Sequence, residues 1–243
     1  MRWLIGDIQG CVRELEQLLR EIRYDAGRDE LWSLGDLVNR GTESLETLRL
    51  WRDVGGRAIL GNHDVYALLA FSGRVPRKGT DTLDALFDAP DAPSLMQAMR
   101  RSAVLVHLPP SGDDVRDVWI VHGGLHPAWT DLQRVASRIN AADHDDDWLE
   151  SREVKLATTL RCCTAGGRRS RFTGPPEECP APYERWDAFY TGPALVVHGH
   201  WAQRGLYRNE RTMGLDTGCV YGGPLTAWNQ EEDRIVQVPA RCA

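Results

Sequence analysis

The stretch Ile59-Leu60-Gly61-Asn62-His63-Asp64 decides the fold assignment, because an apolar run ends there in glycine and three polar side chains. A strand that ends in metal-ligating and proton-donating groups has this pattern. Four further stretches open in the same way, from a short apolar segment into glycine with Asp, Asn or His. They are Gly6-Asp7-Ile8-Gln9-Gly10, Gly35-Asp36-Leu37-Val38-Asn39-Arg40-Gly41, Val121-His122-Gly123-Gly124 and Gly199-His200-Trp201. Five such segments in one chain predict a site with several metal ligands at strand ends.

Composition and charge bound the classes of function. The chain has 243 residues, of which 42% are hydrophobic, so it is long enough to bury a sizeable core. Its formal net charge of −6 does not favour general DNA or RNA affinity. No stretch reaches the roughly 18 apolar residues of a membrane span, and the first predicted strand follows directly after residues 1–2. We therefore expect no membrane segment, no leader peptide and a cytoplasmic location.

The six cysteines do not indicate a structural zinc site, because none of them forms a C-x-x-C pair. They are Cys11, Cys162, Cys163, Cys179, Cys219 and Cys242. In a reducing cytoplasm we expect them to be free thiols.

Hydrophobic periodicity predicts strands that alternate with helices in the first third of the chain. The predicted strands there are Trp3–Gly6, Leu31–Leu34 and Arg57–Leu60, followed by helices that start near Val12, at Ser44 as N-cap, and at Val65. Further strands are predicted at Val104–His107, Val118–Val121, Leu195–His198, Met213–Leu215, Leu225–Trp228 and Ile235–Val238. Residues 166–182 are rich in Gly, Pro and Arg, which predicts a long surface loop. Because the motifs run from Gly6 to Gly223, we expect one domain spanning residues 1–243.

The polar residues after the predicted strands suit a divalent cation. Asp7 and Asp36 offer carboxylates, which hold hard cations and can bridge two of them. Asn62 offers a carbonyl oxygen, and His122 and His200 offer imidazole nitrogens. This mixed oxygen and nitrogen set favours Mn²⁺, Fe, Co²⁺ or Zn²⁺ over Ca²⁺. Any one of these residues alone would more often be a helix cap or a buried structural histidine, and it is the ordered set that favours a metal site.

These motifs resemble the calcineurin-like metallophosphoesterases, in the branch shared with the Ser/Thr phosphoprotein phosphatases. The resemblance is strongest to the bacterial symmetrical diadenosine tetraphosphatases and covers nearly the whole chain. The matching stretches are Gly10–Cys11, Leu34–Gly41, Leu60–Asp64, Ala89–Ala92, Pro176–Pro182, Gly199–Ala202 and Leu215–Gly223. The resemblance implies an α/β (α+β) fold of two stacked mixed β-sheets flanked by helices, with the site at the sheet edge.

The resemblance also implies a binuclear metal centre. Two divalent ions, Mn²⁺ or alternatively Co²⁺ or Mg²⁺, would be held by Asp7, Gln9, Asp36, Asn62, His122 and His200, with Asp36 as the bridge. Arg40, Asn62 and Arg161 would bind substrate, and His63 would lie beside the leaving-group oxygen. Activated water would attack phosphorus in line. The implied reaction cleaves diadenosine tetraphosphate into two ADP, and nucleotide-capped RNA 5′ ends are a further implied partner.

Two positions depart from the wider phosphatase pattern. Gln9 stands where the superfamily has a histidine ligand, and it is equally compatible with direct ligation and with a position behind the ligands. Asn39 stands where protein phosphatases carry an aspartate that pairs with the catalytic histidine. A neutral amide raises the pKa of His63 less than a carboxylate does. A departing nucleoside diphosphate, whose phosphate has a pKa of roughly 6–7, needs little protonation.

Asn39 therefore favours an anhydride substrate over a phosphoprotein, although asparagine is also common in turns. The alternative function is a Ser/Thr/Tyr phosphoprotein phosphatase of the same fold, and the third is a catalytically silent protein that binds polyphosphate or RNA. Either imidazole of His198-Gly199-His200 could reach a metal, and the family's Gly-His-Trp motif favours His200.

Overall fold

A computed structural model describes residues 1–112, 115–140 and 143–241. The strands are β1 Arg2–Ile5, β2 Glu30–Ser33, β3 Arg57–Ala58, β4 Leu105–Leu108, β5 Val118–Val121, β6 Cys162–Cys163, β7 Glu184–Arg185, β8 Leu195–His198, β9 Tyr207–Arg208, β10 Thr212–Gly214, β11 Leu225–Asn229 and β12 Arg234–Val238. The α-helices are α1 Val12–Glu21, α2 Ser44–Asp53, α3 Asn62–Phe71, α4 Asp84–Phe87, α5 Ala92–Arg100, α6 Leu132–Asn140, α7 Asp146–Leu149 and α8 Arg152–Thr159. No helix in these three segments has the length and apolar character needed to cross a membrane.

Ten of these strands form two five-stranded mixed sheets, with orders β12-β11-β1-β2-β3 and β4-β5-β8-β10-β9, and β6 pairs with β7 in a separate two-stranded sheet. In the first sheet β1, β2 and β3 run parallel, and β11 and β12 are antiparallel additions. In the second sheet β5, β8 and β10 run parallel between antiparallel edge strands. The predicted architecture of two mixed sheets flanked by helices is confirmed. Each sheet has a parallel centre, so several strands end at the same edge.

The hydrophobic core consists of two clusters, because the central strands are buried on both faces. Leu4 and Trp228 of the first sheet share one hydrophobic cluster with Ile120 and Val197 of the second, so these side chains fill the space between the sheets. Trp3 and Ile5, the neighbours of Leu4 on β1, belong instead to the cluster that contains the helices. Side chains alternate between the faces of a strand, so one short strand supports two hydrophobic layers.

Two predicted helix starts are wrong. Glu43, not Ser44, occupies the N-cap of α2, and the Ser44 hydroxyl instead accepts a hydrogen bond from the backbone N–H of Asn39 at 2.8 Å. Helix α3 begins at Asn62 rather than Val65, because Asp64 in its first turn accepts the backbone N–H of Gly61 at 2.9 Å. Both differences arise where polar side chains bond to backbone groups of the site loops.

The expectation that every cysteine is a free thiol is also wrong. Cys162 of β6 forms a disulfide with Cys179, which lies 17 residues further along the chain. Strands β6 and β7 pair antiparallel, so the loop of residues 164–183 between them begins and ends at the same place. Cys179 in this loop therefore lies near Cys162. A spacing of this length has no recognisable motif, so the sequence carries no local signal for the pair. Cys242 lies outside the described residues.

Candidate active site

The carboxyl ends of the parallel strands meet around one cavity of about 760 Å³. Asp7 and Asp36 follow β1 and β2 of the first sheet, while His200 and Asp216 follow β8 and β10 of the second. Strand ends of open α/β sheets commonly carry sites because loops there can diverge around a ligand. Both sheets therefore contribute polar groups to one cavity.

Eight of the ten predicted site residues line this cavity. They are Asp7, Gln9, Asp36, Arg40, Asn62, His63, Arg161 and His200. The other two lie directly behind the wall. His122, which follows β5, is fully buried, with its Nε2 at 3.3 Å from Oδ1 of Asn62 and at 3.4 Å from Oδ2 of Asp36. Asn39 contacts the ring of His63. His198 does not line the cavity, and its Nδ1–H donates to the carbonyl oxygen of Gly199 at 3.0 Å.

The backbone of the site is held in unusual conformations. Within the described ranges, eight residues other than glycine have a positive φ, and five of them are predicted site residues. These five are Gln9 at 49°, Asp36 at 54°, Asn39 at 75°, Arg40 at 69° and His200 at 67°. Such conformations cost about 1–3 kcal/mol each and persist where surrounding contacts impose them, most often at functional sites.

Asp64 is a buried residue that imposes part of this geometry. Its carboxylate accepts three backbone hydrogen bonds, from the N–H groups of Asp36 at 2.7 Å, Leu37 at 2.9 Å and Gly61 at 2.9 Å. Sequence reasoning singled out the motif but assigned Asp64 no role. One side chain thereby joins the loop after β2 to the start of α3, and so fixes Asp36 relative to Asn62.

The carboxyl groups of the site are too close to be charged together without a cation. Burial, followed by the neighbouring carboxyl of Asp216, raises the pKa of Asp7 well above its ordinary value. Burial also opposes the charge on Asp36, but the imidazoles of His122 and His63 outweigh it and hold the pKa of Asp36 below its ordinary value. Burial lowers the pKa of His122, but Asp36 and Asp7 override this and raise it to about 10. A proton on His122 therefore supplies part of the missing positive charge.

The donor set fits divalent cations. Ligand atoms of Asp7, Asp36 and His122 all lie within 4.8 Å of one another. His122 donates from Nδ1 to the carbonyl oxygen of Leu34 at 2.8 Å, which leaves Nε2 directed at the site, as in metal-ligating histidines. Nε2 of His200 is buried and has no hydrogen-bond partner among the described residues. Two carboxylates and a buried imidazole nitrogen without a partner are the ligands that such an ion requires.

Gln9 is placed against one of these ligands. Its side-chain amide donates to Oδ2 of Asp36 at 3.2 Å. The backbone N–H of His63 donates to the other oxygen, Oδ1, at 2.7 Å. Both oxygens of Asp36 are therefore oriented by hydrogen bonds before any ion binds.

His63 is held as a neutral imidazole. Oδ1 of Asn39 accepts the backbone N–H groups of Arg40 at 2.8 Å and Thr82 at 3.3 Å, which fixes the orientation of the amide. Its Nδ2 then faces Nδ1 of His63 at 3.1 Å. An amide NH₂ group only donates, so Nδ1 accepts and the ring proton lies on Nε2. Burial lowers the pKa of His63, which favours the same neutral form.

Cationic side chains also line the cavity. Arg161 donates to the carbonyl oxygen of His200 at 2.7 Å and is joined in the wall by Arg169 from the loop after β6. Arg168 packs instead over the ring of Tyr183 at 5.4 Å. The part of the predicted surface loop near Arg169 therefore forms one wall of the site.

Sequence reasoning missed two further wall residues, Asp216 and Tyr221. Asp216 lies beside Asp7, and burial raises its pKa to about 6. Tyr221 has 64% of its surface exposed at the cavity wall. Both lie in the stretch Leu215–Gly223, which is one of the stretches that carry the family resemblance.

Comparison with known proteins shows the family of the chain. The sequence profile described as calcineurin-like phosphoesterase matches residues 2–204. The symmetrical bis(5'-nucleosyl)-tetraphosphatase of Aromatoleum aromaticum is 37% identical over 98% of this chain and 96% of its own length. A relative of the same name from Thioalkalivibrio sulfidiphilus is 34% identical over 99% of this chain and 98% of its own length.

Solved structures are also similar to this chain. The crystal structure of a candidate diadenosine tetraphosphatase superposes with a TM-score of 0.73 at 28% identity, covering 98% of this chain and 93% of that one. A protein serine/threonine phosphatase of Saccharomyces cerevisiae superposes with a TM-score of 0.59 at 12% identity, over 100% of this chain and 80% of that one. The second likeness concerns the fold alone.

Gly61→Ala should empty the metal centre. A Cβ at residue 61 would overlap the carboxylate of Asp36, although the φ of −97° suits any residue. We expect loss of metal in elemental analysis and a fall in turnover of about 100-fold or more, because misplacing a catalytic group by 1 Å has this effect. Gly112→Ala is the control, since its Cβ would meet only Val115, at 3.9 Å. Full metal content in Gly61→Ala would contradict the placement of Asp36.

Asn39→Asp should raise the pKa of His63. The new carboxylate would accept a proton from Nδ1 and favour the imidazolium. An NMR titration of the metal-free protein measures this, with the His63 signal identified from its loss in His63→Gln. Asn209→Asp adds the same charge in an exposed turn and should leave the pKa of His63 unchanged. An unchanged pKa in Asn39→Asp would mean that residue 39 does not control the ring.

Proposed function

The chain belongs to the calcineurin-like phosphoesterase family, and on that premise we propose that it hydrolyses diadenosine tetraphosphate symmetrically to two ADP. Relatives with the corresponding name match nearly the whole chain. Within the site, the observation that carries the proposal is the Asn39–His63 pair at 3.1 Å. A neutral imidazole beside the leaving group suits an anhydride, whose departing phosphate is stable as an anion, better than a phosphoserine.

Divalent ions bound by Asp7, Gln9, Asp36, Asn62, His122 and His200 would supply activated water and neutralise charge on the phosphoryl oxygens. We infer Mn²⁺ as the preferred ion. Gln9 offers an amide oxygen where an imidazole would favour zinc, and the carboxylates of Asp7 and Asp36 are hard ligands. Cobalt and magnesium are the nearest alternatives by the same chemistry.

The remaining polar residues would bind and orient the polyphosphate. Arg40 projects from a loop with positive φ into the cavity, where its planar guanidinium can take two phosphoryl oxygens. Arg161 and Arg169 line the same cavity and offer further positive charge to the chain of phosphates. At about 760 Å³ the cavity lies within the range of pockets that enclose a drug-sized ligand, which suits a nucleotide.

We also propose that residues 1–243 form a single domain. The support is that one cavity is lined by residues from Asp7 to Gly223, contributed by both sheets. A division of the chain between the sheets would separate Asp36 from His200 and dismantle the site.

Product analysis tests the function. The protein is incubated with diadenosine tetraphosphate and Mn²⁺, and the nucleotides are separated by chromatography. We expect ADP as the only product, and we expect Asp36→Asn to be inactive because it removes a negative charge that would hold the ions. Asp88→Asn, which changes an exposed carboxylate, is the control. ATP with AMP would contradict symmetrical cleavage. Turnover of a phosphoserine peptide alone would instead support the phosphoprotein phosphatase alternative.

A further inference from the structure

A second, smaller cavity of about 160 Å³ adjoins the active site. Its wall shares Arg40, Asn62 and His63 with the larger cavity. Its remaining lining residues are Asn39, Tyr66, Lys78, Thr80 and Asp81. We call this cavity the annex. The carboxylates of Asp7 and Asp36 line the large cavity and not the annex, so the shared residues form a boundary between two sides of one site.

The annex contains an ammonium group that is held in place and has no anionic partner. Nζ of Lys78 lies 4.6 Å from the ring centroid of Tyr66, and the backbone N–H of Lys78 donates to the Tyr66 hydroxyl at 2.7 Å. Among the described residues no carboxylate forms an ion pair with Lys78. A cation over an aromatic face keeps its ability to bind an anion. The ammonium group of Lys78 can therefore bind a negatively charged ligand.

The carboxylate in the annex wall is already hydrogen-bonded to protein groups. Asp81 accepts hydrogen bonds from the guanidinium of Arg77 and, at 2.7 Å, from the hydroxyl of Tyr66, and its side chain is 1% exposed. Arg77 also pairs with Asp84 at 2.6 Å. Of the charged residues that line the annex, Lys78 and Arg40 are positive and only Asp81 is negative, so the lining carries a net positive charge. The annex thus suits a phosphoryl group.

The annex suits an in-line displacement, because the carboxylates of Asp7 and Asp36 do not line it. In phosphoryl transfer the attacking and leaving oxygens lie roughly opposite each other across phosphorus. Water would approach from the side of Asp7 and Asp36, in the large cavity. With phosphorus at the shared boundary of Arg40, Asn62 and His63, the leaving oxygen points towards the annex.

We propose that the annex is the subsite for the leaving nucleoside diphosphate, and that Lys78 binds its departing phosphate. This inference rests on the proposed function. The annex, at about 160 Å³, is smaller than pockets of roughly 300–1,000 Å³ that enclose whole drug-sized ligands. It admits phosphate but not a nucleoside, so the nucleoside of the leaving half extends into solvent while the other half occupies the large cavity.

The bond changes balance without a further reactant. The oxygen of water bonds to phosphorus, and the bond from that phosphorus to the central bridging oxygen breaks. The electron pair stays on the bridging oxygen, which becomes a terminal phosphate oxygen of the leaving ADP. One proton of water passes to solvent, and the other stays on the new P–OH group of the second ADP. Nε2–H of His63 donates a hydrogen bond to this oxygen, and Lys78 balances its charge. A cation in the annex thus stabilises the leaving group of an anhydride, as proton donation stabilises the leaving group of an ester.

The chain offers a matched control because it contains only two lysines, Lys78 and the exposed Lys155. We expect Lys78→Met to lower kcat/KM for diadenosine tetraphosphate by about ten- to a hundredfold, the effect of a lost charged hydrogen bond. On the 4-nitrophenyl ester of the ADP β-phosphate, which has the same transferred group but a leaving group without phosphate, the change should stay within about threefold. Lys78→Arg should restore most of the activity, and Lys155→Met should have no effect.

A second measurement does not depend on turnover. Amine acylation followed by mass spectrometry reports on both lysines in one sample, and ADP should protect Lys78 while Lys155 reacts as before. Equal losses of Lys78→Met on both substrates, or no loss on either, would overturn the inference, as would absence of protection by ADP. Failure of the wild type to cleave diadenosine tetraphosphate would defeat the proposed function instead, and ADP protection would still decide whether the annex binds phosphate.

Discussion

The rest of the site depends on the burial of several carboxyl groups within one small volume. Asp7, Asp36, Asp64 and Asp216 are all buried, and charges at such distances in a protein interior repel strongly. Backbone N–H groups satisfy Asp64, and a protonated His122 offsets part of the charge on Asp7 and Asp36. The remainder is neutralised by protons, which the raised pKa values of Asp7 and Asp216 favour, or by a bound cation. The fold therefore carries, at the ends of its parallel strands, a charge imbalance that bound divalent ions would correct.

The backbone around these carboxyl groups is strained and closely packed. Gln9, Asp36 and His200 adopt positive φ, and a side chain on Gly61 or Gly199 would collide with the carboxylate of Asp36 or Asp7. The two sheets contribute hydrophobic contacts on both faces of their central strands, which stabilise the fold enough to impose these conformations. The proposed roles of the Asn39–His63 pair and of the annex both concern the leaving group. A neutral His63 protonates the leaving oxygen weakly, and Lys78 would stabilise the negative charge on that oxygen instead.

The sequence pattern was sufficient to predict most of the strands and to select polar residues at their ends, because apolar runs ending in Gly with Asp, Asn or His reflect both burial and strand ends. The two mixed sheets were implied by the family resemblance. Eight of the ten predicted residues share one cavity wall, and His122 and Asn39 lie directly behind it. What the sequence could not supply was long-range pairing. The Cys162–Cys179 disulfide and the contact of Lys78 with Tyr66 depend on how loops return. The local sequence likewise suggested Ser44 as the N-cap of a helix, whereas its hydroxyl accepts a hydrogen bond from the backbone N–H of Asn39.

The most direct test of the charge imbalance is proton release on metal binding. Titration calorimetry with Mn²⁺ at pH 7, in two buffers of different ionisation enthalpy, gives the number of protons displaced. Because the pKa values of Asp7 and His122 are raised in the metal-free protein, we expect release of about one proton or more per chain. Below pH 7 the metal affinity should fall further, since more protons must leave. Binding of Mn²⁺ without proton release would contradict a site in which protons and metal ions compete for the same buried ligands.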